Sequence, residues 1–122
     1  MRVLLFGLGS IALKHLSALR ELRPESEVWA LRSNKTANKV DGVQNIYDWS
    51  DIPERLDFVM ICNPTEAHYA TIQRCLSLQL TLFIEKPPLM DLSGVAQLLQ
   101  NCNAQKIRTY TAFNFRFHPV LL

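Results

Sequence analysis

Lys86 is the residue of this sequence best suited to acid–base chemistry. It follows the apolar run of residues 80–84 and the acidic Glu85, and it precedes Pro87. A proline restricts the residue before it to extended conformations, so the Lys86 side chain should leave the run in a defined direction. A lysine partly withdrawn from water can give a proton to a carbonyl oxygen or take one from a hydroxyl group, with Glu85 orienting the ammonium or contacting a cofactor. A lysine that snorkels to water from a strand edge explains the pattern equally well.

A glycine motif near the N-terminus is typical of nucleotide binding. The segment GLGSIA, residues 7–12, matches G-x-G-x-x-A and follows an apolar run of strand length. In such a motif Gly7 permits a tight turn and Gly9 lets a pyrophosphate approach the backbone, while Ala12 allows close packing of helix on strand. Ser10 and Ile11 would then offer the free N–H groups of a helix N-terminus to the phosphates. Alternatively, the glycines serve the turn alone.

The end of the second predicted strand bears on cofactor choice. A site selective for NAD usually has an acidic residue there for the ribose hydroxyls, whereas this chain has Arg32 and Ser33, followed by Lys35. Arg32 could pair with a 2′-phosphate and stack on adenine, with the other two as further donors. The pattern therefore favours NADP over NAD, unless these residues are only solvated loop groups.

The segment NPTEAH, residues 63–68, follows the fourth predicted strand at the edge where ligands bind in such sheets. Asn63 and Thr65 could hydrogen-bond a cofactor, with Pro64 between them, or one of them could cap the next helix. His68 is interpreted either as a structural hydrogen-bonding residue or as a ligand contact. It has no second ligand at a suitable spacing, so no metal site is predicted.

Composition excludes several function classes. The chain has 122 residues, 48% of them apolar and 20% charged, which suits one ordinary globular domain. A net charge of +2 without a basic stripe argues against nucleic-acid binding, and no apolar run reaches the ~20 residues of a membrane span. Three widely spaced cysteines predict neither a disulfide framework nor a zinc site, but buried, reduced thiols. The expected location is the cytoplasm.

Short apolar runs alternate with amphipathic stretches, which predicts parallel strands joined by helices. Right-handed crossovers then give a doubly wound α/β Rossmann sheet of order 3-2-1-4-5-6, in a three-layer α/β/α arrangement. Such a sheet would bring the glycine loop and Lys86 to one edge. The predicted strands are residues 2–6, 27–33, 43–47, 56–62, 80–85 and 107–115. The predicted helices are residues 11–22, 50–55 and 63–78, followed by one more helix that Asp91 caps. The inward residues of that last helix are predicted to be Leu92, Val95, Ala96, Leu99 and Cys102.

The tail TAFNFRFHPVLL has a period-two pattern. As a strand it would place three aromatic residues on one side and polar residues on the other, facing a cleft or solvent. The apolar end of the chain predicts the beginning of a second domain, with residues 1–118 as the nucleotide-binding domain and 119–122 as the start of the next. The aromatic set is Phe113, Phe115 and Phe117, and the polar set is Asn114, Arg116 and His118.

In combination, GLGSIALKHLSAL, NPTEAH, FIEKP and FNFRFHP resemble the glucose-fructose oxidoreductase / inositol dehydrogenase / MocA (Gfo/Idh/MocA) family over essentially the whole chain. The resemblance implies an NAD(P)-dependent oxidoreductase acting on a hydroxyl or carbonyl group of a sugar, inositol or sugar nucleotide. It implies that Lys86 is the catalytic lysine and Glu85 its neighbour near the nicotinamide. The resemblance places Asn63, Pro64 and His68 beside the cofactor, and Asn114 and Arg116 at the junction with a substrate domain.

Members of that family carry a C-terminal α+β domain that supplies most substrate contacts and often an oligomer interface, so a homo-oligomer fits the resemblance. We therefore expect these 122 residues alone to bind NADP but to turn over substrate poorly or not at all. Two alternatives stay open. One is a regulatory module that binds a nucleotide or CoA without catalysis, and the other is a ligand-free interaction domain that pairs through residues 120–122.

Overall fold

Six parallel strands form one sheet in the order β3-β2-β1-β4-β5-β6. The computed structural model describes residues 1–121. Leu122 therefore lies outside the described residues, although it belongs to both the predicted start of a second domain and the predicted pairing patch. The sheet order and the doubly wound Rossmann arrangement predicted from the sequence are confirmed. The strands are β1 Arg2–Phe6, β2 Glu27–Leu31, β3 Val43–Ile46, β4 Phe58–Ile61, β5 Thr81–Ile84 and β6 Thr109–Thr111.

Three α-helices connect and cover the strands. They are α1 Ser10–Leu22, α2 Thr65–Cys75 and α3 Val95–Ala104. Short 3-10 turns occupy Trp49–Asp51, Leu76–Leu78, Asn114–Phe117 and Pro119–Leu121. Within residues 1–121, no helix combines the length and apolar character needed to cross a membrane.

The central position of β1 explains its continuous apolar sequence. It pairs with β2 on one side and β4 on the other, with Leu4 opposite both Trp29 and Val59. Residues 3–5 are fully buried because helices or loops cover both faces. Parallel strands covered in this way lose the alternating polar positions of a half-exposed strand.

The two faces of the sheet have separate cores. On one face α2 and α3 pack over alternate residues of β1, β4 and β5, through Ile72, Cys75 and Leu98 among others. On the other face α1 packs through Ala12, Leu16 and Leu19. Leu22, the last residue of the helix, is 76% exposed.

The start of α3 differs from the prediction. The helix begins at Val95 after Gly94, which has φ of +71° and leaves no room for a side chain beside the Tyr69 ring. Asp91 does not cap it but accepts the N–H of Ser93 at 2.7 Å. Because the helix starts later than predicted, its buried face is also different: Leu98 and Cys102 are buried, whereas Leu92 lies before the helix and Leu92, Ala96 and Leu99 are exposed.

The last strand is shorter than predicted, and the period-two interpretation of the tail is wrong. The Ala112 N–H still donates to Ile84, but the next two N–H groups turn back to the carbonyls of Thr111 and Ala112, so the ladder stops. Residues 114–117 then form a 3-10 turn, so no strand separates aromatic from polar side chains. Both sets are exposed there, with Phe113, Phe115 and Phe117 at 62%, 60% and 74%.

Candidate cofactor-binding site

The turn after β1 requires glycine at residue 7. Gly7 has φ of +83°, which L side chains rarely adopt, and its N–H donates to the Leu31 carbonyl at 3.1 Å. A Cβ atom on Gly7 would lie 3.0 Å from the Cα of Asn63. The turn therefore packs directly on the chain leaving β4, and the two loops form one surface.

Gly9 opens a space that fits a phosphate group. It precedes α1 in an extended conformation, and a Cβ atom built on it meets no atom within 4 Å. The first N–H groups of α1 have no partner within the helix, and the first turn carries no acidic residue. A vacant approach beside free N–H groups and the positive end of the helix dipole suits an anion, so these residues fit the pyrophosphate of a dinucleotide.

A cavity of about 550 Å³ lies over this turn, and its walls unite three of the predicted motifs. Residues 7–11 form one wall, residues 62–65 with His68 form another, and Glu85 with Lys86 complete it. The carboxyl ends of β1, β4 and β5 meet here, as expected for neighbouring parallel strands. The structure thus gathers these residues at one edge of the sheet.

Asn63 is held in the cavity wall by Thr71. Its Nδ2 donates to the Thr71 Oγ1 at 2.8 Å, whereas no described residue hydrogen-bonds its buried Oδ1. The predicted capping role is wrong for both candidates, because Pro64 takes the N-cap position of α2 and no side chain caps it. An unpaired buried amide oxygen at this place is a further feature that fits a polar ligand.

His68 connects the two loops that flank the cavity. It is 1% exposed, with Nε2 at 2.9 Å from the Asn63 carbonyl and Nδ1 at 3.0 Å from the Pro88 carbonyl. A neutral imidazole has one N–H, so both contacts are hydrogen bonds only when both nitrogens carry protons. Through this ring the loop after β4 and the loop after β5 keep a fixed separation.

Glu85 is a buried carboxylate whose two oxygens have different partners. The residue is 8% exposed; its Oε1 lies 2.6 Å from the His15 Nε2, and its Oε2 accepts the Lys86 N–H at 2.9 Å. Lys86 is exposed, a cis peptide bond joins it to Pro87, and its ammonium makes no ion pair within residues 1–121. The carboxylate therefore holds the main chain of Lys86 and leaves the amine free.

The cavity wall next to Glu85 includes the buried thiol of Cys62. Burial, and secondarily the charge of Glu85, raises the pKa of the Cys62 thiol to about 12. All three cysteines of residues 1–121 are free and buried, and burial also raises the pKa of Cys75 to about 12 and that of Cys102. The raised pKa values favour the protonated form of these thiols at neutral pH. No group of three metal-ligating side chains is found in the described part of the chain.

Comparison with known proteins identifies the family. The model of the oxidoreductase family with an NAD-binding Rossmann fold, Gfo/Idh/MocA, matches residues 1–113. The chain belongs to the Gfo/Idh/MocA family. This confirms the resemblance that the four sequence motifs indicated.

Two relatives of the family show how much of it this chain covers. Myo-inositol 2-dehydrogenase of Thermotoga maritima is 27% identical over 125 residues, which is 96% of this chain and 37% of that protein. The WlbA (WbpB) dehydrogenase of Thermus thermophilus, solved with NAD and UDP-GlcNAcA, has a TM-score of 0.82 at 26% identity over 99% of this chain and 44% of that one. The chain thus spans less than half the length of either.

A third structure supports the fold. The apo scyllo-inositol dehydrogenase of Lactobacillus casei has a TM-score of 0.79 at 21% identity, over 96% of this chain and 38% of that one. At that identity only the shared architecture carries weight. This Gfo/Idh/MocA chain therefore shares its overall fold with that protein.

Arg32 and Ser33 lie at the carboxyl end of β2, outside the cavity over the glycine turn. Arg32 is partly anchored, with Nη1 donating to the Asn38 carbonyl at 2.7 Å and to the Asn45 Oδ1 at 3.1 Å. Its second terminal nitrogen makes no hydrogen bond with residues 1–121, and Ser33 is exposed. This Gfo/Idh/MocA domain therefore keeps donors for an anion at the β2 end of its sheet edge.

The tail brings one of its two predicted site residues near Lys86. Asn114 lines a second cavity of about 200 Å³ that Glu85, Lys86 and Phe117 also line. Arg116 lies outside that cavity, exposed and 5.9 Å from the centre of the Phe117 ring. Asn114 joins the surroundings of Lys86, and Arg116 does not.

His15 is the site residue that sequence reasoning missed. It lies within the predicted helix 11–22, for which no functional side chain was predicted, but its ring packs edge-on against Phe83 at 5.2 Å and reaches Glu85. The available signal was its place on α1 in the turn after Ala12, on the side that faces β5. No local pattern marks Glu85 as its partner, because 70 residues separate the two.

Proposed function

We propose that this chain is the cofactor-binding part of an NAD(P)-dependent dehydrogenase, with Lys86 as its catalytic acid–base residue. The observation that carries the proposal is the shared cavity: the glycine turn, the Asn63 loop and Lys86 line one space at the carboxyl edge of the sheet. Membership of a family described as NAD-binding oxidoreductases supports it. A bound nicotinamide would supply the hydride acceptor or donor.

The protein residues divide the remaining work between them. Gly7 and Gly9 admit the pyrophosphate, and the N–H groups of Ser10 and Ile11 bind it. The neutral amine of Lys86 takes the proton of a substrate hydroxyl group as the alcohol is oxidised, and its ammonium returns a proton to the carbonyl oxygen in the reverse direction. Because Glu85 does not pair with the Lys86 ammonium, that group is available to the substrate.

The substrate class comes from the relatives. One is named as a myo-inositol 2-dehydrogenase, and another was solved with UDP-GlcNAcA. We therefore assign a polyol, sugar or sugar-nucleotide hydroxyl group, or the matching carbonyl, as the reacting group. Because the relatives are more than twice as long, the proposal assigns most substrate contacts to a second domain beyond residue 118.

Two finer assignments belong to this proposal. NADP is the preferred cofactor, since the β2 end offers Arg32 and Ser33 rather than a carboxylate to the adenosine ribose. The cytoplasm is the assigned location, which the three free cysteines favour because reducing compartments keep thiols unpaired.

Titration of the chain with NADH, NADPH and CoA, followed by calorimetry, tests the proposal. We expect the two nicotinamide cofactors to bind and CoA to bind at least about tenfold more weakly, a difference of about 1.4 kcal/mol. Gly9→Ala is the matched control, since its Cβ enters free space that a pyrophosphate needs. Preferential CoA binding would instead indicate a regulatory module, and the absence of any binding would indicate an interaction domain.

A further inference from the structure

We propose that His15 is a positioning residue for Lys86 and that it acts through Glu85. The inference rests on the proposed function, because it assigns His15 a part in presenting the catalytic lysine. The His15 side chain connects α1, whose N-terminus is proposed to bind the phosphates, to the loop after β5, which carries the Lys86 amine. The contacts that support it lie entirely within residues 1–121.

The linkage has two short contacts in series. The His15 Nε2 lies 2.6 Å from the Glu85 Oε1, and the Lys86 N–H donates to the Glu85 Oε2 at 2.9 Å. The side chains of His15 and Glu85 are 22% and 10% exposed, so water competes little for either contact. A buried carboxylate with both oxygens engaged has a defined orientation.

Both ends of the linkage are anchored in the fold. The Glu85 N–H donates to the Ile61 carbonyl at 2.9 Å, which continues the β4–β5 pairing beyond the strand. The His15 ring packs against Phe83, and the next helical residue, Leu16, is 2% exposed in the core under α1. Neither end can shift without disturbing the sheet, so the carboxylate is held from two sides.

His15 also determines what the carboxylate does not bind. A carboxylate beside a lysine ordinarily pairs with the ammonium, but here the imidazole occupies one oxygen and the Lys86 N–H the other. Lys86 consequently makes no ion pair with any residue of 1–121. Since Glu85 and Lys86 line both the 550 Å³ and the 200 Å³ cavities, a free amine at this place can face either one.

Two amide variants of His15 separate a role in positioning Glu85 from a role in packing alone. The amide nitrogen of His15→Gln falls near the place of the imidazole Nε2, whereas that of His15→Asn stops near Nδ1 and cannot reach Glu85. In His15→Asn the released carboxylate turns to the Lys86 ammonium and keeps it protonated. Because only the neutral amine is acetylated, Lys86 should then react more slowly.

The measurement is the rate of acetylation of Lys86 relative to the exposed Lys39 in the 122-residue chain, by mass spectrometry after a pulse of acetic anhydride. We expect the ratio to fall about threefold to fivefold in His15→Asn, as for an ion pair near the surface. It should return to the wild-type value in His15→Gln and in the double variant His15→Asn/Glu85→Gln. A ratio unchanged in folded His15→Asn, or lowered equally in His15→Gln, would overturn the proposal.

A wild-type measurement keeps the test decisive if His15→Asn does not fold. Hydrogen exchange by NMR should show the Lys86 amide protected at least about tenfold more than the Lys39 amide, relative to unstructured rates. Equal exchange of the two amides would contradict the linkage. Neither measurement involves a cofactor, so a failed NADH titration would remove the proposed function and leave the His15 contact to be judged separately.

Discussion

At one end of the candidate site, around Gly7 and Glu85, main-chain packing and buried side chains hold several of the lining groups in place. At the other end, around Arg32, exposed loop residues supply the donors. Gly7 touches Asn63, His68 joins two carbonyls, and Glu85 is 8% exposed, whereas Ser33 is exposed and Arg32 is anchored through one nitrogen. The first end resembles a core, and the second resembles a surface.

This difference assigns separate consequences to mutation. At the first end, a substitution of a packed residue such as Gly7 or His68 should damage both binding and stability, whereas Gly9, whose Cβ would meet open space, should affect binding alone. At the second end, where Arg32 is proposed to select the cofactor, a substitution should have little effect on folding, since surface substitutions usually change stability by no more than about 0.5 kcal/mol. Substitutions at the two ends therefore test where the buried part of the site stops and the exposed part begins.

Gly7→Ala should cause the largest loss. Its Cβ would lie 3.0 Å from the Asn63 Cα and would need a positive φ, so we expect a loss of about 1–3 kcal/mol in the free energy of unfolding and failure to bind NADH. Urea denaturation and calorimetry measure the two quantities. Gly9→Ala should keep its stability and lose affinity. If both variants were equally stable, the packing of the turn on the β4 loop would be unimportant.

His68→Leu comes next. It fills a similar volume but removes every ring N–H that the Asn63 and Pro88 carbonyls can accept, which should cost about 1–3 kcal/mol in the free energy of unfolding. NADH affinity should fall as well, because the two loops lose their connection. His68→Gln, which retains one N–H donor, should lose less in urea denaturation. A Leu variant as stable as the Gln variant would argue against the carbonyl contacts.

The pKa of the Cys62 thiol reports how well the packed end of the site excludes solvent. Its folded pKa of about 12 exceeds the ordinary value of 9.0, so its contribution to stability is complete below pH 9.0 and is lost as pH rises towards 12. One pH unit above the ordinary value the loss should be about 1 kcal/mol. Comparing wild type with Cys62→Ala in urea at rising pH isolates this residue. Parallel curves for the two proteins would mean that water reaches the thiol.

Arg32→Ala should have the smallest and most selective effect. We expect NADPH affinity to fall about fivefold, equivalent to about 1 kcal/mol, because a partly exposed guanidinium interacts weakly with a 2′-phosphate. NADH affinity and the free energy of unfolding should stay unchanged. Arg55→Ala, which removes an exposed arginine, is the control. Equal losses for the two cofactors would remove the 2′-phosphate assignment and with it the NADP preference.

Much of the fold could be predicted because its signals are local. The apolar runs of β1 and β4, the glycine turn and the amphipathic α1 each appear within a few residues, and the handedness of crossovers then sets the strand order. The edge position of Lys86 followed from that order alone. The same reasoning placed the Asn63 loop in the cavity wall, although the contact of Asn63 with Thr71 was not expected.

What escaped prediction depends on distant pairing or on where an element stops. The His15–Glu85 contact joins positions 70 residues apart and requires the register of α1 against β5, which no single segment encodes. The tail has the period-two pattern of a strand, but its main chain pairs with β5 only as far as Ala112 and then forms a turn. The helix α3 begins after Gly94, which has a positive φ and lies beside the Tyr69 ring, and not after the better capping residue, Asp91.

The separation of His15 and Glu85 along the chain has a consequence for biosynthesis. During translation α1 leaves the ribosome long before β5, so the residues proposed to bind the phosphates are made before the loop that completes the cavity. A dinucleotide that contacts both can be retained only after β5 has joined the sheet. Cellular NAD(P) would then act as a ligand chaperone, lowering the free energy of the assembled sheet while leaving incomplete nascent chains unprotected.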